Sequence, residues 1–326
     1  MEDLAAVADE HGVLSHDDAR RAGLEPRQLA RLASRGELIL LARGWYAIGP
    51  ATSAATTHAL LTRAMLRSHP KRAVAGHHSA LQLLGLPTYH PDWSRARLHR
   101  TTPGSPRTRD GLSLGRMISP DLVAAPPAGR DSPVTVIPAL AVVQVGFSSH
   151  PMASLVAADA AVRRSLITTA ELGDVVKALS MHPGIGPVRT ALGHVDGRRE
   201  SPGETRLGHS FQLMSIPVTP QFEVREPGFL AFIDFVVDGT WVAVEFDGRI
   251  KYGRALDPDD ARGPQPSPEE RLWREKRRED RLGEIGFEVI RVVWSDLDDL
   301  DTLGRRVRAA VERSQLRHGM TTPAGG

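Results

Sequence analysis

Asp234, Glu245 and Asp247 are the residues whose spacing best suits shared chemistry. They lie in AFIDFVVDGTWVAVEFDG, residues 231–248. Asp238-Gly239 is a preferred pair for a two-residue hairpin turn. With that turn, Val237 pairs with Thr240, Asp234 stands opposite Ala243, and Phe232 stands opposite Glu245. The three acids then share one face of the ribbon. Ile233, Phe235, Val237, Val242, Val244 and Phe246 fill the other, which reads as the core face. Asp234 and Glu245 become diagonal neighbours with Cβ atoms ~7–8 Å apart. Two carboxylates at that separation can grip one cation from both sides, and without one they repel. The chain has no cysteine, so the donors are all oxygen, which favours Mg²⁺ or Mn²⁺ over Zn²⁺. The plainer alternative is a solvated sheet face that happens to carry acids.

Two flanking residues complete the candidate set. Glu204 opens a helix in Ser201-Pro202-Gly203-Glu204, where a capping box would also explain it. Lys276 lies in the charged helix RLWREKRREDRLGEIG, residues 271–286. Its ammonium suits a phosphate or an attacking water, and equally a surface ion pair with Asp280 four residues on. Arg277, Arg278 and Arg281 could meet phosphates or face solvent.

These residues must be positioned by a helix, a hairpin, a second helix and a strand. The sequence supplies them in that order over residues 199–315, with a Pro- and Asp-rich loop at 254–268 and a disordered tail at 316–326. The N-terminal segment, residues 1–50, reads as three short helices and a hairpin. Ser15-x-x-Asp18 is a capping box, Pro26 suits the first turn of the third helix, and Leu38–Leu41 with Trp45–Ile48 form the strands. That is the layout of a winged helix-turn-helix. Arg27, Arg31 and Arg35 recur every four residues and line one helical stripe, and Arg43 sits at the hairpin tip. This disposition suits DNA, with a solvated amphipathic helix as the alternative. The middle segment, 51–198, reads as helices at 57–68, 73–84, 138–145, 152–165 and 169–180, with a strand at 96–99. His77 and His78 at one helix start read as a cap and a partly buried side chain.

The charge distribution suits a polyanion partner, with a solvated arginine-rich surface as the alternative. The formal net charge is +2 over 326 residues, but it is −2 over residues 1–50, +9 over 51–199 and −5 over 200–326. No apolar run approaches the ~18 residues of a membrane span. The acidic start MEDLAAVADEHG lacks the layout of a signal peptide, so a cytoplasmic protein without a membrane partner is expected.

Residues 200–300 resemble the PD-(D/E)XK nuclease superfamily, closest to its very-short-patch-repair branch. The resemblance rests on Glu204, Asp234, Glu245-Phe246-Asp247-Gly248, and Glu275-Lys276-x-x-Glu279-Asp280-x-Leu282 running into Phe287–Val293. It implies a restriction-endonuclease-like α/β/α domain in which Asp234 and Glu245 hold the ion, with the Phe246 carbonyl as a third ligand and Asp247 as a further one. Asp247 occupies the position where the family has its lysine, so Lys276 on the next helix is the natural substitute. Residues 1–50, and more loosely the block to 198, resemble AbiEi-type antitoxins. The resemblance rests on Gly12-Val13-Leu14-Ser15, Ala19 to Gly23, Leu29 to Gly36, Gly44-Trp45-Tyr46 and His77-His78-Ser79-Ala80-Leu81. It implies an operator-binding first domain and a cognate toxin. The combined expectation is a multidomain α/β protein: a Mg²⁺-dependent DNA endonuclease acting in phage defence or DNA repair, targeted by its winged helix. Cutting both strands would call for two sites, hence a homodimer. The alternative is a non-catalytic AbiEi-type antitoxin and repressor with a degenerate nuclease fold.

Overall fold

The computed structural model describes residues 2–124, 134–248 and 268–319. The chain divides into two compact units, Met1–Val195 and Asp196–Gly326, each mixing helices and sheet.

In the first unit, local sequence signals set the early helices. α1 is Glu2–Val7. α2 is His16–Arg21, started by the Ser15/Asp18 capping box. α3 is Pro26–Ser34, with Pro26 in its first turn. The expected hairpin is present, as β2 (Leu38–Ala42) and β3 (Trp45–Ile48). A further strand that the sequence reading passed over, β1 (Val13–Ser15), pairs antiparallel with β3, giving the order β1-β3-β2. Leu4, Leu14, Ala19, Leu29 and Leu38 form a small core of their own. Val13 and Ala42 instead enter the large core of residues 61–192, so the segments before and after residue 50 pack as one unit.

The rest of that unit contains α4 (Ala54–Arg67), β4 (Ala73–Ala75) and α5 (His77–Leu83). β5 (Ala96–Arg100), β6 (Arg107–Arg109) and β7 (Leu112–Met117) follow. The strands order as β4-β5-β7-β6, with β5 and β7 parallel. The expected helix over 73–84 is therefore corrected: its first three residues pair with β5 as strand, and the helix begins only at His77. Four helices close the unit: α6 (Pro138–Ser148), α7 (Pro151–Arg163), α8 (Thr169–Ala178) and α9 (Ile185–Leu192). The last of these was not anticipated.

The second unit runs α10 (Pro202–Leu213), β8 (Val218–Glu226), β9 (Phe229–Val237) and β10 (Val242–Phe246). It continues through α11 (Pro268–Ile285), β11 (Glu288–Val292) and α12 (Leu300–His318). The sheet order is β11-β10-β9-β8; only β10 and β11 are parallel, and α11 lies between them in the chain. Both faces of this sheet are covered. Phe235, Val237, Val242 and Val244 pack with Leu207 and Phe211 of α10 and with Leu303 and Val307 of α12. Ile233, Val236 and Ala243 pack with Leu282 of α11. The single core face expected from alternation is thus corrected to two. α12 continues through His318, beyond the expected start of the tail at 316. The loop at 254–268 lies outside the described residues except for its last one, and so does the tail from 320.

Candidate functional site

The exposed cations of the N-terminal segment lie where the helical stripe predicts. Arg27, Arg31 and Arg35 are all exposed, Arg35 as the C-terminal cap of α3. In the same segment Asp18 is buried. It accepts hydrogen bonds from the Ser15 amide at 2.7 Å and from Arg67 Nη2 at 2.9 Å. Burial alone would raise its pKa, but the Ser15 bonds and the Arg67 charge hold it below the usual carboxylate value. Arg67 also donates to the Val13 carbonyl at 2.6 Å and stacks over the Trp45 ring. This α4 residue fixes the strand and helix that precede α3, a role that spacing alone did not reveal.

In the second unit the hairpin register decides the acid geometry. Val236 pairs with Ala243 and Phe235 with Val244. The expected pairing of Val237 with Thr240 is corrected: the reversal takes four residues, 238–241, instead of two. Gly239 alone in the turn has positive φ, 73°. Thr240 is buried with its hydroxyl on the Val237 carbonyl, and the Trp241 amide donates to Ser314 Oγ of α12 at 2.9 Å. A shift of two moves Asp234 from diagonal to directly opposite Glu245. The ladder stops one step short of that pair. There the Asp234 carboxylate takes the Phe246 amide at 2.7 Å in place of a backbone carbonyl. On the other side of β9, Gln221 occupies the position facing Asp234 with φ 50°. The pleat changes phase at the same point, with Ile233 in one core and Phe235 in the other.

Glu204 joins from α10. Glu204, Leu207 and Phe211 follow at i, i+3 and i+7, so one stripe faces the sheet. The Ser201 hydroxyl accepts the Glu204 amide at 3.2 Å, as a cap should. The reciprocal half of the capping box is absent: the Glu204 carboxylate instead accepts from the Glu200 amide at 2.8 Å and from Gln221 Nε2 at 3.1 Å. Burial raises its pKa. Asp234 is pushed up to about 7, first by burial, then by the charge of Glu204, with Glu245 adding to it.

Glu245 meets a cation from α11, and that cation is Arg278. Its Nη1 lies 2.8 Å from Glu245 Oε1, and its Nη2 donates to the Phe232 carbonyl. The ion pair is not aligned as a hydrogen bond, which leaves Glu245 Oε1 buried without a proper donor. Arg278 shares the sheet-facing stripe with the fully buried Leu282, four residues on, and that apolar residue was the available signal. Lys276 is exposed, and two residues from Arg278 it projects ~200° further round the helix. Asp247 is half-buried, with its amide on the Val292 carbonyl at 2.8 Å. The structure therefore groups Glu204, Asp234, Glu245 and Arg278, and leaves Lys276 on a different helix face.

Among the described residues no three acidic or histidine side chains converge into a metal-holding group. The pair Asp234 and Glu245, with the Phe246 carbonyl, still suits a hard divalent cation. Its donors are all oxygen, Glu245 Oε1 is buried with an ion-pair contact but no aligned hydrogen bond, and burial, then the charges of Glu204 and Glu245, raise the Asp234 pKa. Water would have to complete the coordination.

A multidomain mixed α/β chain with a compact helical N-terminal segment, and no helix among the described residues long and apolar enough to cross a membrane, is the class so defined. Residues 2–49 match the family model AbiEi_4, described as a transcriptional regulator, AbiEi antitoxin. No curated protein matches the chain.

Proposed function

We propose that this chain is a DNA-binding transcriptional regulator of the AbiEi antitoxin type. One observation carries the reading: the segment that matches the regulator family, residues 2–49, is the segment that presents Arg27, Arg31 and Arg35 as an exposed stripe on α3. In this reading α1–α3 and β1–β3 act as a winged helix-turn-helix, with α3 entering the major groove and the arginines meeting phosphates and base edges. A cytoplasmic cognate toxin is the partner that the antitoxin reading implies. Selection of bound duplexes from a random library tests the proposal. Recovery of a sequence motif by the wild-type chain and its loss in Arg31→Glu is expected; a chain that retains no duplex refutes it.

The acid cluster favours a second activity on the same chain, phosphodiester hydrolysis by a PD-(D/E)XK-like C-terminal unit. A divalent ion, when bound, would stabilise charge on the scissile phosphate and acidify a water. Asp234 and Glu245 would hold it with the Phe246 carbonyl, while Glu204 tightens the field on Asp234. Arg278 offsets the charge of Glu245. Lys276 would contribute only after turning towards the acids, and Asp247 only as an outer ligand. Incubation of plasmid DNA with Mg²⁺ or Mn²⁺ separates the readings. Cutting by wild type that Asp234→Ala and Glu245→Ala abolish supports the nuclease; intact plasmid alongside motif binding leaves the regulator alone.

A further inference from the structure

The tip of the β2–β3 hairpin does not end in open solvent. The Arg43 amide donates to Asp110 Oδ2 at 3.2 Å. Gly111, at φ 66°, lies so close that a Cβ there would come within 2.9 Å of the Ala42 Cβ. Asp110 and Gly111 form the reversal between β6 and β7, so the hairpin tip meets the turn that follows β6 through one backbone-to-carboxylate hydrogen bond and the close Ala42–Gly111 approach. β6 is an edge strand of its sheet, and Arg107, Thr108 and Arg109 are all exposed. Arg107 and Arg109 share one face of that strand, about 7 Å apart. The Arg43 side chain is exposed as well. Between residues 95 and 117 there are six arginines and a single acid, Asp110, and that acid already accepts the Arg43 amide. Cations on a short edge strand also discourage edge-to-edge association, but that role needs no attachment to the hairpin tip.

The geometry points to a DNA surface that extends beyond the N-terminal segment: Arg107 and Arg109 of β6 continue the line of Arg43 along the phosphate backbone of one duplex. This inference rests on the DNA-binding reading above and adds a second contact segment to it. The contact is with phosphates, since an exposed strand edge carries charge without the depth to read base edges. It sets affinity and salt dependence and leaves sequence preference to α3.

The test uses the full chain and a labelled random-sequence duplex of about 30 base pairs, titrated from ~50 to ~200 mM salt, because the electrostatic part of binding does not depend on sequence. The double variant Arg107→Ala/Arg109→Ala is compared with wild type and with Arg31→Ala. The double variant is expected to bind about tenfold or more weakly at the low-salt end and to flatten the slope of log K against log salt by about 1.8, two phosphates at ~0.9 each. Its melting temperature and its preference for a selected motif should match wild type. A wild-type slope in the double variant, with Arg31→Ala still weakening binding, overturns the extension and leaves the regulator reading standing. Absence of binding by the wild-type chain at the lowest salt overturns both.

Discussion

Gly203 lies under the ring of Phe246: a Cβ on Gly203 would collide with Phe246 Cε1. The ring also meets Trp294 edge-on at 5.0 Å. The start of α10 can therefore approach the end of β10 only because residue 203 lacks a side chain. That approach sets Glu204 beside Asp234. Gly203→Ala should cost about 1–3 kcal/mol, the usual penalty of overpacking, read as a lower urea midpoint. Phe246→Leu in the same chain should restore part of the loss. An unchanged midpoint in Gly203→Ala would mean that the ring relaxes freely and the contact positions nothing.

Ion binding at the acid pair has its own readout. A ligand that binds only the folded state raises its stability by RT ln(1 + [L]/Kd). Millimolar Mn²⁺ at pH 8 should raise the melting temperature of the wild-type chain, and Asp234→Asn or Glu245→Gln should abolish the rise. If the variants respond as strongly as wild type, the ion binds elsewhere.

Acid should destabilise the first unit through its histidines. His77 is held down to about 3 by burial and by neighbouring His99 and Arg97. His78 is held to about 4 by burial, His58 and Arg97. Both are depressed in the folded state, so the unfolded chain binds more protons between those values and ~6.5. Stability is then fully present above about pH 6.5 and is lost as pH falls towards 4. Melting scans should show a falling midpoint from pH 7 to 5, and His78→Leu should shallow that fall. Asp234 works in the opposite direction in the second unit, so the difference between wild type and His78→Leu is the readout; identical pH profiles for the two would contradict the burial of His78.

Arg67 is the tie across the N-terminal segment. Its guanidinium reaches Asp9, Asp18 and the Val13 carbonyl. Arg67→Met keeps the aliphatic stem but removes one of the two guanidinium partners of the buried Asp18, leaving Arg21 and the Ser15 amide. Breaking a fully buried pair costs ~3–5 kcal/mol; Arg67 is 34% exposed on its side chain, so about 2 kcal/mol is expected. Chemical denaturation measures it, and the double variant Arg67→Met/Asp18→Asn should recover most of the loss.

The α3 stripe is tested by charge reversal. Arg31→Glu should weaken duplex binding at least tenfold and reduce the salt slope by about 1. Filter binding across a salt series reads both. An unaltered slope would remove α3 from the interface.

Local chemistry made much of this molecule legible. Ser15 with Asp18, and Pro26, mark helix starts in the sequence, and each helix begins there, because a cap depends on neighbours within one turn. The stripe of Arg27, Arg31 and Arg35 was readable for the same reason: 3.6-residue periodicity needs no tertiary partner. Asp234 and Glu245 stayed neighbours because a register shift of two exchanges a diagonal position for a directly opposite one.

Tertiary contacts decided the rest. Residues 73–75 became strand because β5 offers them a hydrogen-bonding edge. The Asp238-Gly239 turn widened because Ser314 of α12 holds the Trp241 amide, which no local pattern encodes. Glu204 keeps the Ser201 half of the cap, but its carboxylate takes the Glu200 amide and, across the fold, Gln221 Nε2, a partner that local spacing does not name. Arg278, rather than Lys276, reached Glu245 because the buried Leu282 fixes how α11 rolls on the sheet. Spacing names which residues carry charge; the packing of helices onto sheets decides which of those charges meet.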